Sequence, residues 1–319
     1  MNIEPAVGQT PRRALKCRKV FKGMTEGGRT VEAYEAMSPG LAARLSLQKH
    51  EFHFTHALGQ NFILDDGLMR HIVEAADVRP GENVLEIGAG AGVLTRHLAE
   101  QGARVTAVEV DDALKDVLGD VLGNLPVRLV FGDALKLDYD GLMGEEPYCV
   151  VSNLPYYVTA DVLLKLLRTR NKPRRIAVMV QREAADRIAA RPGVKAWCAL
   201  SATVAYYGQA ERLFEVPPHM FTPPPHVVSE MIMIRLYEPD RAPCVARSES
   251  MMMRVIAAAF AMRRKTLQNN LCAAFDVDRE RAARWLNAVG LPPQIRGEAL
   301  SIEQMAALSD VISDDASFS

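Results

Sequence analysis

The sequence lacks the features that mark secreted, membrane-spanning or zinc-binding proteins. Only 5 of its 319 residues are cysteine. They are scattered without Cys-x-x-Cys spacing, which predicts reduced thiols rather than a disulfide framework or a zinc site. No apolar run approaches the roughly 18 residues that a membrane span needs. The first residues, 1–5, have neither the basic flank nor the apolar core of a secretory leader. We therefore expect a cytoplasmic protein with no metal and no membrane partner.

An excess of charge of either sign is also missing. Lys and Arg total 38 and Asp and Glu total 39, so the formal net charge is −1. A protein that binds nucleic acid over its whole surface would be basic. Any nucleic-acid binding by this nearly neutral chain must therefore depend on local clusters of basic residues. One cluster lies within residues 12–22, and the other is Arg263, Arg264 and Lys265 on a predicted helix. A third basic stretch, 168–175, fits a solvated loop and a phosphate contact equally well.

What the sequence does contain is an alternation of strand and helix patterns, which predicts an α/β fold. Strands are expected at 83–87, 104–110, 127–131, 148–151 and 176–180, and later ones at 204–214 and 228–236. Beyond a Pro-containing linker at 238–243 the pattern is helical only, at 251–271, 278–289 and 302–312. The predicted divisions are therefore residues 1–50, 51–238 and 239–319. We expect the first to be a mobile extension, with an RNA-gripping arm as the alternative.

A glycine-rich loop, Gly88 to Gly92, separates the first strand from a helix. Small residues there let a ligand approach the backbone near a helix N-terminus, as in nucleotide-cofactor sites. A dinucleotide fingerprint would want a small residue at position 93, where Val93 stands. Glu86, just before the loop, would repel a pyrophosphate. Both points favour a cofactor without phosphates.

Acidic residues end the next two strands. Glu109 lies about 20 residues beyond the glycines, where such folds hold ribose hydroxyls. Asp111 is more simply the N-cap of the following helix. Asp133 follows the third strand and is suited to accept a hydrogen bond from the amino group of an adenine, or to cap a turn. Its place on a third successive strand end favours the cofactor.

The fourth strand ends in Asn153-Leu154-Pro155-Tyr156. Asn153 offers an acceptor and a donor on one short arm, Pro155 stiffens the turn, and Tyr156 offers a flat ring for stacking. Together they suit the exocyclic amine of a planar base, although an ordinary Pro turn is the simpler alternative. Phe221, in the Pro-rich loop 216–225, is either a second stacking ring or a core residue.

These segments occur together in one known family. They are 58–62 (LGQNF), 85–90 (LEIGAG), Glu109, 132–134 (GDA), 153–156 (NLPY), 215–218 (EVPP), 221–225 (FTPPP) and 263–266 (RRKT). In this order they resemble the bacterial small-subunit (16S) ribosomal RNA adenine dimethyltransferases, over about residues 57–312. The resemblance implies a class I (Rossmann-like) methyltransferase sheet at 51–238 and a small helical RNA-contacting domain at 239–319.

The resemblance also implies a cofactor, a partner and roles for residues. S-adenosyl-L-methionine would be bound by Asn61, Ile63, Gly88, Gly90, Glu109, Asp133 and Asn153. Asn153, with the backbone around Leu154 and Pro155, would accept from the target amine, and Tyr156 and Phe221 would sandwich the flipped base. Arg263, Arg264 and Lys265 would contact 16S rRNA within a pre-30S or 30S particle, and we expect a monomer.

Other interpretations share some of these motifs. A 23S rRNA adenine methyltransferase of the antibiotic-resistance type has the same sheet and Asn-Leu-Pro-Tyr, but the loop at 221–225 and the helix at 263–266 favour the 16S enzyme. A DNA adenine methyltransferase would more usually show Asp-Pro-Pro-Tyr, and Val93 disfavours a nicotinamide dehydrogenase. A non-catalytic checkpoint in small-subunit assembly is a different class. The chain departs from the family where residues 54–57 have no Lys or Arg before the Gly-Gln-Asn segment, and where the segment 195–200 lacks the Arg expected before Leu200.

Overall fold

A seven-stranded sheet carries the architecture. The structure is a computed structural model that describes residues 33–55, 58–238 and 240–315; the basic cluster within 12–22 lies outside the described residues. The strands are β2 (Asn83–Ile87), β3 (Arg104–Glu109), β4 (Arg128–Phe131), β5 (Tyr148–Asn153), β6 (Arg175–Gln181), β7 (Gly208–Val216) and β9 (Ser229–Leu236). Their order is β4-β3-β2-β5-β6-β9-β7, with β9 antiparallel to both neighbours. A separate two-residue pair joins β1 (Phe62–Ile63) to β8 (Phe221–Thr222).

Helices cover both faces of the sheet and form the C-terminal region. They are α1 (Pro39–Lys49), α2 (Asp66–Ala75), α3 (Val93–Glu100), α4 (Lys115–Leu122), α5 (Tyr139–Met143), α6 (Thr159–Leu167), α7 (Arg182–Ile188), α8 (Ala199–Tyr207), α9 (Glu249–Ala261), α10 (Leu267–Phe275), α11 (Arg279–Ala288) and α12 (Ile302–Asp314). Within the described part of the chain, none is long and apolar enough to cross a membrane.

The sheet separates two cores because successive side chains of a strand point to opposite faces. Along β5, Val150 packs into one core and Val151 into the other, and both are fully buried. β2 pairs in parallel with β3 on one side and with β5 on the other. After β2, the chain adds β3 and β4 on one side of this strand and then β5 and β6 on its other side. Such a switch point leaves a crevice at the carboxyl ends of the central strands.

The C-terminal helices share a core with the sheet. Met252 and Val255 of α9 lie in the same buried cluster as Tyr148 of β5 and Leu166 of α6. The helices therefore bury their apolar faces against the α/β part rather than only against each other. The division near residue 239 stays a prediction.

Two predicted elements are wrong in part. The strand expected at 204–214 begins only at Gly208, because residues 199–207 form the buried helix α8. A Cβ at position 208 would lie 2.5 Å from the Arg235 oxygen, so glycine permits the close change from helix to strand. The helix expected at 251–271 is two helices, separated by the turn 262–266. Arg263, Arg264 and Lys265 accordingly lie in a turn and not on a helix.

The expectation of a mobile extension does not hold for residues 33–50. Ala42 and Ala43 of α1 are fully buried in the core that also contains helices α3 and α4. Asp120 of α4 accepts hydrogen bonds from Ser46 and Lys49. A short, alanine-rich helix can pack this closely although its apolar period is too weak to predict burial.

Arg96 of α3 fastens the chain that leads into α1. Its guanidinium is 5% exposed and donates to the carbonyl oxygens of Tyr34 (3.0 Å), Glu35 (2.9 Å) and Met37 (2.9 Å). Its Nε pairs with Glu100 at 2.7 Å. A buried guanidinium with this many partners satisfies carbonyl groups that would otherwise be buried without a donor.

We expect Arg96→Ala to lower the free energy of unfolding by at least about 3 kcal/mol, because it leaves several buried carbonyls unpaired. Chemical denaturation measures this change. Arg70→Ala, on the exposed surface of α2, is the matched control and should lie within about 0.5 kcal/mol of wild type. Equal stability of the two variants would show that the hydrogen bonds from Arg96 to residues 34–37 add no net stability to the fold.

Candidate active site

A cavity of about 310 Å³ opens at the carboxyl ends of β2, β3, β4 and β5. Segment 58–62 closes one side of it. The predicted residues that line this cavity are Asn61, Gly88, Gly90, Glu109, Asp133, Asn153, Pro155 and Tyr156. Parallel strands bring them together because their carboxyl ends meet at one edge of the sheet.

Three groups of predicted residues lie elsewhere. Ile63 lines a small cavity of about 30 Å³ beneath the glycine loop, next to Gly88 and Asn153. Phe221 is 3% exposed and pairs with Ile63 across β1 and β8, so the structure places it in the core and not on the cavity wall. The Arg263–Lys265 turn is also absent from the cavity lining.

The glycine loop turns with left-handed backbone at Gly88 (φ 84°), Gly90 (φ 55°) and Gly92 (φ 77°). The amides of Gly88 and Ala89 both donate to the Val108 oxygen, at 2.8 and 3.0 Å. A Cβ at position 90 would lie 3.1 Å from the Phe62 ring. Glycine is therefore required here for both conformation and space, and the loop leaves a cradle of backbone beside the cavity.

Glu109 ties this loop to the end of β3. Its carboxylate is 6% exposed and accepts from the amides of Gly90 (2.7 Å), Val110 (2.9 Å) and Asp111 (3.0 Å). Burial raises the pKa of Glu109, and the three amides oppose that shift. A carboxylate offers about four acceptor positions, so about one remains for a hydroxyl of a ligand.

Asp133 stands at the open mouth of the cavity. Its Oδ1 accepts from the Leu135 amide at 2.9 Å, and Lys136 lies 3.4 Å from Oδ2. The Leu135 amide, with Lys136, lowers the pKa of Asp133 and keeps it an acceptor. Three of the exposed large apolar side chains, Val110, Leu135 and Tyr157, also line this cavity. They provide flat apolar contact for a planar ring beside Asp133.

Asn153 is held in one orientation. It ends β5, and its Nδ2 donates to the backbone oxygen of Asn61 at 3.1 Å. No described group donates to its Oδ1, which is thus left as an acceptor. The Pro155 oxygen accepts from the Val158 amide and the Thr159 hydroxyl, both at 3.2 Å. The Leu154 oxygen has no donor among the described residues and is the second acceptor at this turn.

Tyr156 is held by a residue that the sequence analysis did not single out. Its hydroxyl lies 2.7 Å from Oγ of Ser229, a fully buried residue at the start of β9. Burial raises the pKa of Tyr156, so the hydroxyl stays protonated. The bond anchors the far end of the ring of Tyr156, a residue that lines the cavity. Only the pairing of β6 with β9 brings Ser229 here.

Gln60 also has a role in the site that the sequence analysis did not single out. Its side chain donates to Oδ2 of Asp111 at 2.6 Å and accepts from the Thr55 amide at 2.7 Å. A Cβ at Gly59 would lie 3.3 Å from the Tyr157 ring. Gln60 thereby fastens segment 58–61 to the turn that follows β3, across the cavity mouth.

Glu86 is a buried carboxyl beneath the glycine loop. It is 1% exposed, and its Oε2 has no hydrogen-bond partner among the described residues. Burial raises the pKa of Glu86 to about 8; Thr95 opposes this shift, and the charge of Glu109 adds a smaller increase. An unpartnered buried carboxyl next to the cradle suits a ligand that carries positive charge. The sequence indicated that Glu86 carries an acidic group near the glycine loop but did not predict that this group is buried.

Together, this sheet with one antiparallel strand, the glycine cradle and the strand-end acids define a class I S-adenosylmethionine-dependent methyltransferase. More narrowly, the chain belongs to the ribosomal RNA adenine dimethylase family, whose model matches residues 51–314. Among the described residues, no group of three or more His, Cys, Asp or Glu side chains is placed to hold a metal ion.

Curated relatives agree with this family. The ribosomal RNA small subunit methyltransferase A of Geobacillus kaustophilus is 40% identical over 284 residues, covering 86% of this chain and 96% of that protein. The protein of the same name from Streptococcus agalactiae is 39% identical over 280 residues, with 85% and 96% covered.

Solved structures agree on the fold. A dimethyladenosine transferase from Plasmodium falciparum superposes with a TM-score of 0.63 at 20% identity, covering 76% of this chain and 94% of that one. The 23S rRNA methyltransferase ErmE gives 0.60 at 24% identity, with 80% and 100% covered.

The raised pKa of Glu86 predicts a pH dependence of stability. Between the ordinary carboxyl pKa and about 8, the folded protein holds a proton that the unfolded chain has released, so stability falls as pH rises. The loss approaches about 1.4 kcal/mol per pH unit.

Glu86→Gln removes the ionisable carboxyl group and with it this pH-dependent loss. The free energy of unfolding of the variant relative to wild type should therefore increase between pH 5 and pH 8. Denaturation of the cofactor-free proteins at several pH values measures the difference. Glu74→Gln, on the exposed face of α2, is the control, and parallel curves for wild type and Glu86→Gln would refute the assignment.

Proposed function

We propose that this protein transfers methyl groups from S-adenosyl-L-methionine to the exocyclic amines of two adjacent adenines in 16S rRNA, forming dimethyladenosine. The observation that carries the proposal is the oriented amide of Asn153, whose free acceptor lies beside Tyr156 in the cofactor cavity. The names of the relatives, which match this chain over 96% of their own length, support the small subunit as the target. The shared fold of the 23S enzyme carries no weight for substrate choice.

The residues present fit the proposed cofactor. S-adenosylmethionine supplies a methyl group on a positively charged sulfur and carries no phosphate. The backbone cradle of Gly88 and Gly90 needs no phosphate-binding cation, and the orphaned oxygen of Glu86 suits positive charge. Glu109 would hold a ribose hydroxyl and Asp133 the adenine amine, between Val110 and Leu135. Asn61 and Ile63 would complete the methionine end.

The chain's own contribution to the reaction is positioning. An adenine amine is a weak nucleophile because its lone pair is delocalised into the ring. Asn153 Oδ1 and the Leu154 oxygen would accept its two hydrogens and so direct the lone pair toward the methyl group. Holding reactants in line in this way contributes several kcal/mol. The attacking amine becomes cationic and acidic, so no strong base is needed, and no His is among the described residues that line the cavity.

Tyr156 would stack on the target base, with its ring set by Ser229. A second stacking role for Phe221 stays a prediction, and it requires the ring to leave its contact with Ile63. After the first methyl transfer the amine keeps one hydrogen, so one of the two acceptors, Asn153 Oδ1 or the Leu154 oxygen, suffices for the second methyl transfer. The space beside the other acceptor must then accommodate the first methyl group.

The proposed partner is a pre-30S or 30S particle in the cytoplasm. With a net charge of −1, the chain can make few non-specific phosphate contacts, so recognition must depend on local basic residues that meet a folded RNA surface. Residues 239–315 would supply part of that surface and 51–238 the chemistry. Binding that also monitors small-subunit assembly is compatible with catalysis.

Incubation with labelled S-adenosylmethionine tests the proposal. Unmethylated 30S particles, naked 16S rRNA and 50S particles serve as substrates, and the modified bases are mapped. We expect two adjacent dimethylated adenines in the 30S particle and little label elsewhere. Label in 50S particles alone would favour the 23S activity, and particle binding without transfer would favour a non-catalytic checkpoint.

Asn153→Ala should slow methyl transfer by about 10²–10³, because it removes a positioned polar group from the reacting amine. Single-turnover kinetics on 30S particles measure the rate, and calorimetric titration should find cofactor affinity within about fivefold of wild type. Asn287→Ala, exposed on α11, is the control for loss of an amide. A transfer rate within threefold of wild type would exclude Asn153 from the proposed role.

A further inference from the structure

Arg182 begins α7 directly after β6, beside the target side of the catalytic edge. β6 pairs with β5, which ends in Asn153, and with β9, which begins with Ser229. The loop 217–228 leaves β7 and returns to β9, so its two ends face each other across the β7–β9 pair. The Ser229 hydroxyl bonds the Tyr156 hydroxyl. The ends of this loop therefore lie next to the proposed target pocket.

Two acids stand directly opposite each other where the loop begins and ends. Glu215 of β7 pairs in register with Glu230 of β9, and like charges directly across two strands are unfavourable. The side chain of Glu230 is only 2% exposed. A buried carboxylate needs donors and cationic partners to stay in place. This strand pairing therefore requires a cation close to both acids.

Arg182 supplies that cation from the neighbouring strand. Its Nη2 pairs with Glu215 at 2.6 Å, and its Nε donates to Glu230 at 3.2 Å. Its backbone amide donates to the Val228 oxygen at 3.1 Å. One residue thereby holds the start and the end of the loop 217–228 together.

Arg212 of β7 balances the charge of the buried acid. It donates to Glu230 through Nε at 2.6 Å and through Nη2, and its Nη1 pairs with Asp186 of α7 at 2.7 Å. Glu215, in contrast, forms an ion pair with Arg182 alone among the residues that the structure describes. The link between the two loop ends thus depends on Arg182.

We propose that Arg182 is a positioning residue for methyl transfer, which holds the ends of the loop 217–228 together and so keeps Ser229 bonded to Tyr156. This inference rests on the proposed function, in which Tyr156 stacks on the target base. Arg182 itself does not line the cavity. Without it, the two opposed carboxylates repel each other, and β7 and β9 separate where Ser229 lies. A displacement of about 1 Å at a reacting site can cost about a hundredfold in rate.

Arg182→Met should slow single-turnover methyl transfer to 30S particles by about 10- to 100-fold, while calorimetric cofactor affinity stays within about twofold of wild type. Arg182→Lys keeps the charge but lacks the forked guanidinium that reaches both acids, so its rate should be intermediate. Arg187→Met is the matched control, because Arg187 also lies on α7 and pairs with Glu183 of the same helix at 2.6 Å. Equal rates for Arg182→Met and Arg187→Met would overturn the positioning role, as would a cofactor affinity that falls in parallel with the rate.

A double-mutant cycle tests whether Arg182 acts through Tyr156. Ser229→Ala removes the bond to the Tyr156 hydroxyl and should also slow methyl transfer. If both substitutions disturb the same contact, the double variant should be about as slow as the slower single variant. Multiplied effects on the rate would show that Arg182 acts independently of this bond and would overturn the proposal.

Removal of the opposing charge should partly rescue the Arg182→Met protein. Glu215→Gln in that protein removes the repulsion across β7 and β9, so it should raise the transfer rate by about threefold. The same substitution in the wild-type protein removes only an ion pair and should not raise the rate. A double variant no faster than Arg182→Met would contradict the proposed repulsion.

Hydrogen–deuterium exchange tests the role of Arg182 without any activity. The segment 219–229 should exchange faster in Arg182→Met than in Arg187→Met, whereas the glycine loop 88–92 should exchange as in wild type. If wild-type protein methylates no adenine of 16S rRNA but Arg182→Met shows this change, the proposed activity is rejected and the role of Arg182 in holding the loop stands. If wild-type protein methylates the particles and neither rate nor exchange responds to Arg182→Met, the activity stands and the positioning role is rejected.

Discussion

The catalytic edge depends on the hydrogen bonds that the buried carboxylate of Glu109 accepts. Its bond from the Gly90 amide ties the glycine loop of β2 to the end of β3, and its bonds from Val110 and Asp111 shape the turn that follows. A carboxylate buried this deeply needs several donors to remain in place. The same bonds leave about one acceptor position, so Glu109 organises the site more than it contacts a ligand.

A second constraint sets the target side of the cavity. The amide of Asn153 offers either an acceptor or a donor, and the carbonyl of Asn61 decides which one faces the cavity. Asn61 is placed by segment 58–62, which Gln60 fastens to Asp111. Residues 33–50 also contact the chain that follows this segment, because the Gly40 amide donates a hydrogen bond to Asp66 at the start of α2. The orientation of one amide thus depends on contacts that reach back to α1.

Positive and negative charges nearly balance in this chain, so the positions of individual charged residues matter more than the net charge. Burial raises the pKa of both Glu86 and Glu109, and the charge of Glu109 raises the pKa of Glu86 further, beside a cavity proposed for a cationic cofactor. The lack of a Lys or Arg at 54–57 and of an Arg before Leu200 accords with the formal net charge of −1.

The sequence by itself determined the first five strands of the sheet, the glycine loop, the acids at the strand ends and the Asn153 turn, because each is encoded by neighbouring residues. Periodicity places β2 and β5, left-handed turns need glycine at 88 and 90, and parallel strands bring their ends to one edge. Only the tertiary structure decided the burial of Glu86, the core position of Phe221, the bond from Ser229 to Tyr156 and the packing of residues 33–50. It also decided that Arg263, Arg264 and Lys265 lie in a turn and not on a helix. Each of these depends on partners tens of residues away, and local pattern carries no information about which distant groups will share one buried contact.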